Sequence, residues 1–136
     1  ERLRGVDSPG AGMDLVRSCY AYRAWDISAF GQLPAVVADL DDDSRDRLVA
    51  DLRSYRARYL LFDDVRDVRE DVENGTETPV VWLLRVCDSP ATVEDHLLEV
   101  YRAFTYDDPT LGAVLGGLER EPASLGEALT AAHGRV

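Results

Sequence analysis

A chain of 136 residues with 46% hydrophobic content is long enough to bury one core and too short to divide into two domains. Its formal net charge is −11, from 26 acidic residues against 15 basic ones that are all arginine, and such a surface repels phosphate backbones, so direct nucleic-acid binding is not expected. No apolar stretch reaches the roughly 20 residues that a membrane span needs, and no basic, apolar and small-residue leader opens the chain, so the expectation is a soluble, cytoplasmic protein with no membrane contact.

Glu1 to Gly12 holds Gly5, Ser8, Pro9, Gly10 and Gly12 with little apolar periodicity, and reads as a flexible arm preceding a single domain over residues 13–132 and a tail at 133–136. From Asp14, a capping residue, Leu15, Val16, Cys19, Tyr20 and Tyr22 suit a helix that ends near Trp25. Ile27 to Leu33 contains Gly31 and reads as a connection, after which Pro34 to Leu40 reads as a short strand whose proline belongs at its first residue or on a sheet edge.

Asp41, Asp42 and Asp43 lack the alternating ligands and turn glycine of a calcium loop, so they read as a solvated turn ending in a helix cap at Asp43 or Ser44. Leu48, Leu52, Tyr55, Tyr59 and Phe62 then form a helical seam. Residues 63–72 fit either a continued helix or a strand, and Asn74-Gly75 is the strongest turn signal in the chain.

Thr78 to Cys87 is an apolar, β-branched and aromatic run that reads as a buried strand, stopped by Asp88-Ser89-Pro90. Ser89 and Pro90 are the cap and first-turn residues of a following helix, with Val93, Leu97, Val100, Tyr101 and Phe104 on one stripe that is expected to cover a sheet. Asp107-Asp108-Pro109 ends that helix, Thr110 to Gly117 reads as a small, flexible apolar segment, and Ser124 to Ala132 as a last short helix. The sum is an α+β domain: a small mixed or antiparallel sheet packed against two or three helices.

Chemistry is scarce. Cys19 and Cys87 have no metal-ligand spacing and read as small core residues of a reducing compartment, and His96 reads as a solvated surface histidine. No nucleophile elbow, zinc pattern or phosphate-binding loop is present, so no catalytic, cofactor or metal residue is assigned and no enzyme activity or cofactor is expected. Tyr20, Tyr22, Trp25 and Phe30 read as core aromatics rather than an interface patch.

Asp107-Asp108-Pro109-Thr110-Leu111-Gly112, with the strand and helix placed before it and with Leu33-Pro34-Ala35-Val36-Val37, resembles the carboxy-terminal half of the tail terminator proteins of long-tailed viruses. The longer seam before residue 63 and the displaced Gly116-Gly117 depart from that pattern. The resemblance implies a virion structural protein of the tail or neck, without catalysis, that joins the tail tube to the head. It also implies self-association as a ring, with a hexamer as the expected form, and contacts with tail tube and neck proteins. Candidate interface residues are then Pro34, Leu111, Gly112, Gly116 and Gly117. The alternative is a small acidic binding or regulatory module from the cytoplasm of a halophilic microbe, to which strong acidity without lysine also points.

Overall fold

The computed structural model describes residues 3–119 and 125–136. A 3₁₀ turn at Leu3–Gly5 precedes α1 (Pro9–Arg23), and a second at Ala24–Asp26 leads into α2 (Ile27–Val37). There follow α3 (Asp42–Arg66), α4 (Val68–Asn74), α5 (Pro79–Val86), α6 (Pro90–Ala103), α7 (Pro109–Leu118) and α8 (Leu125–His133). Among the described residues there is no strand, so the expected α+β domain with a sheet is replaced by a helical one.

The largest correction is α5, which occupies the run read as the main strand. Thr78 Oγ1 accepts from the Val81 amide at 3.3 Å, and Pro79 sits in the first turn. This is the cap-and-proline signature that also starts α6, where Ser89 Oγ accepts from the Thr92 amide at 3.2 Å. Every residue from Pro79 to Leu84 is buried. A helix covered on all sides has no polar stripe, and its apolar run then looks like that of a buried strand.

The second correction is α2. Pro34, placed at a strand edge by its sequence context, lies inside a helix, where it has no N–H to offer the carbonyl of Phe30. Gly31 is a site of close approach rather than a loop residue, because a Cβ there would lie 2.8 Å from Leu52 Cδ1. The glycine lets α2 lie tight against α3.

The remaining boundaries move less. Asp41 caps α3, two residues before the nearer expected position, accepting from the Ser44 amide at 2.8 Å. Residues 63–66 and 68–72 are helical, in α3 and α4, with Asp67 as the cap between them. Gly75, with φ 67°, ends α4 in the left-handed conformation that Asn-Gly signals, as a helix C-cap and not as a hairpin turn. α7 takes the place of the flexible segment.

The core is organised around α5, which packs against α1, α3, α4, α6 and α8. Val16, Tyr20, Leu61, Leu83, Leu97, Leu125 and Leu129 are fully buried there. The described part of the amino-terminal arm belongs to this body: Trp82 Nε1 donates to the Val6 carbonyl at 3.0 Å, and a Cβ on Gly12 would fall 2.2 Å from the Trp82 ring. One charged group is folded in with it. Asp64 accepts from Arg23 at 2.6 and 2.9 Å and from Tyr20 Oη at 3.0 Å, so the buried carboxylate has its lone pairs met. Burial, reinforced by Asp64, pushes the Tyr20 phenol well above its ordinary value.

Candidate interaction surface

α2 and α7 lie outside this body. Each packs on α3, and residue spacing along α3 shows that they use different sides of it. Asp46, Val49, Ala50 and Arg53 line the groove between α2 and α3. Ser44, Arg47 and Leu48 line a groove with α7, and Asp51 bonds to the turn before it. Each set recurs at spacings of three, one and three, and at 3.6 residues per turn the two sets fall roughly half a turn apart. The amino-terminal half of α3 is thus a rail with one helix on each flank.

On the α2 flank, Arg53 stacks 4.0 Å over the Trp25 ring and Arg56 pairs with Asp26 at 2.8 Å. Hydrogen bonding from Arg56 holds the Asp26 carboxyl below its usual range. On the α7 flank, the Asp51 carboxylate is buried and accepts from the backbone amides of Asp107 at 2.6 Å and Asp108 at 2.9 Å. Asp108 in turn caps α7, accepting from the amides of Thr110 and Leu111 at 2.8 Å each.

The carboxy-terminal end of α7 is tied by Glu119. Its carboxylate accepts from Arg58 at 2.8 Å and from the hydroxyls of Tyr101 and Tyr106, while the Arg58 guanidinium lies 4.3 and 4.7 Å over those two rings. Burial raises the Glu119 carboxyl, but the bonds from Tyr101, Tyr106 and Arg58 outweigh it and leave the group below its ordinary value. Burial and the Glu119 hydrogen bond push both tyrosines up.

Between these polar ties the outward faces are apolar. Phe30 is 75% exposed and Val36 64% on α2, and Val114 is 59% and Leu118 64% on α7. Neither helix carries a charged residue, whereas each of the other α-helices carries at least one. Tyr22 and Trp25 are also mostly exposed, so of the four amino-terminal aromatics only Tyr20 joins the core.

The five interface candidates all lie on these two helices. Leu111 lines the groove beside α7 with Leu40, Leu48 and Val114. Gly112 is turned inward, where a Cβ would lie 2.9 Å from Tyr106 Cβ, while Gly116 and Gly117 face open space. Pro34 belongs to α2, across α3 from the other four, so the structure does not bring all five together. Asp51, Arg58 and Glu119, which position α7, were not singled out by sequence; lone charged residues in an acidic chain carry no local signal of burial.

The other candidates are structural. Cys87 is buried and Cys19 half-buried, and burial raises both thiols, so they stay protonated near neutral pH. The His96 ring is half-buried with Nδ1 4.0 Å from Glu99. Among the described residues, no three His, Cys, Asp or Glu side chains converge to hold a metal ion, and no helix is long and apolar enough to cross a membrane. No protein family, curated protein or solved structure matches the chain.

Proposed function

We propose that this chain is a small non-enzymatic assembly module that works by associating with further copies of itself through α2 and α7. The observation that carries the reading is the pairing of charge and exposure. In a chain of formal charge −11, the two surface helices that expose Phe30, Val36, Val114 and Leu118 are the ones without charge. Two acidic copies repel each other, and contact costs least where no carboxylate has to approach another. Exposed apolar residues at the same places supply the attraction.

The tail-terminator resemblance joins Asp107 to Gly112 to two expected strands, whose places α5 and α2 take, so the proposal keeps self-association and leaves out the tail tube and the head. Sedimentation velocity over a hundredfold range of protein concentration tests it. The mass is expected to rise with concentration, and to rise further between 0.1 M and 1 M salt as the Debye length falls from about 10 Å to about 3 Å. A monomer at every concentration and salt would overturn the reading and leave these faces for a partner of another kind.

A further inference from the structure

The groove between α2 and α3 is lined by a guanidinium that no carboxylate meets. Most of the described arginines pair with an acidic side chain, whereas Arg53 makes no ion pair and no hydrogen bond among the described residues. Stacking holds it instead, 4.0 Å over the Trp25 ring. Asp26, the residue after Trp25, is engaged by Arg56 at 2.8 Å. In the same groove, Arg53 Nε and the Ser28 hydroxyl are both shielded from water and lack a protein partner, a cost that an incoming acceptor relieves. Ser28 follows Trp25 by three residues in continuous helical backbone, so its hydroxyl lies on the side of the ring that carries Arg53.

Along α3 the groove runs from Arg53 past Val49 and Ala50 to Asp46. Its two charges stand about 10 Å apart along the helix axis, with an apolar floor between them. The volume is about 310 Å³, which suits a short-chain molecule. From this order of groups we infer that the groove binds a small zwitterion. The ligand's carboxylate accepts from Arg53 and Ser28, a short apolar chain lies over Val49 and Ala50, and an ammonium group meets Asp46. A simple anion would be repelled by a chain of formal charge −11, and a molecule without net charge is not. The site does not depend on self-association, and either can fail without the other.

The test titrates ε-aminocaproate and caproate into the full-length protein at constant salt and follows the indole N–H signals of Trp25 and Trp82 by nuclear magnetic resonance. ε-Aminocaproate is expected to shift the Trp25 signal saturably, to leave the buried Trp82 signal in place, and to bind roughly tenfold more tightly than caproate. Asp46→Asn is expected to bring it down to the level of caproate. Arg53→Gln is expected to weaken both compounds by roughly tenfold or more. Circular dichroism checks each fold; if Arg53→Gln loses its fold, Arg53→Lys, which keeps the charge but not the fork, is expected to weaken both in its place. Caproate binding as tightly as ε-aminocaproate, variants that bind like wild type, or the lack of any saturable Trp25 shift would each overturn the proposal.

Discussion

The body around α5 and the flanks on α3 are held by different forces. In the body, six consecutive residues of α5 are buried and meet apolar side chains from five other helices, so its stability comes mainly from area removed from water. Of the α7 residues only Leu115 is buried, and the helix is held in large part by polar groups: the Asp51 carboxylate at one end and the Glu119 cluster at the other. Such bonds fix position well but contribute modestly to stability, because they replace bonds to water. A helix tied in this way can keep its apolar face outward without collapsing into the core.

The difference is broken most severely in the body. Leu97 is fully buried on α6. Leu97→Asp loses about 1.5–3 kcal/mol of burial and adds several kcal/mol for desolvating a carboxylate, which is expected to unfold the domain in a thermal melt followed by circular dichroism. Phe30→Asp on the α2 flank is expected to leave the melt within about 0.5 kcal/mol of wild type, and equal losses would show that the flank is part of the core.

A smaller change sharpens the contrast at α7. Asp51→Ala removes the acceptor of two backbone amides, at a cost of about 1–3 kcal/mol. Amide exchange over residues 109–118 is expected to accelerate while α5 amides keep their protection. Uniform acceleration would mean that α7 has no separate tether.

The mildest perturbation is pH. The Glu119 carboxyl is depressed from an ordinary 4.5 in the folded chain, so its contribution is complete above that value and is lost as pH falls through the lower folded value. Tyr106 is raised from an ordinary 10.0, so its contribution is present below that value and is lost as pH rises through the higher folded one. Exchange in α7 is therefore expected to quicken at both extremes, and Glu119→Gln is expected to flatten the acid limb. An acid limb unchanged in that variant would assign the effect to other carboxylates.

Sequence reasoning reached the helices that show two faces to different surroundings. α6 was legible from its stripe and its Ser89-Pro90 cap, and most of α3 from its seam, because polar and apolar positions alternate there at helical spacing. α5, α2 and α7 were misread for a shared reason. Few or no charged residues interrupt them, so no periodicity distinguishes helix from strand or loop. At Thr78 and Asp108 the capping residues carried the information that the pattern lacked, each followed by proline. The sequence singles out Pro34 and the Leu111 to Gly117 residues, which lie on α2 and α7. It could not show that the two lie on different sides of α3, which depends on how the chain folds back at Asp107 and Asp108.

The chain's two tryptophans give this division an optical signature. Trp82 is buried against Gly12 with its indole nitrogen bonded to Val6, while Trp25 stands at the surface beneath Arg53. One emitter is shielded and the other open to collisional quenchers such as acrylamide. Without any label, the shielded fraction follows the body and the accessible fraction follows the α2 flank, so a single fluorescence titration can observe docking and unfolding as separate events.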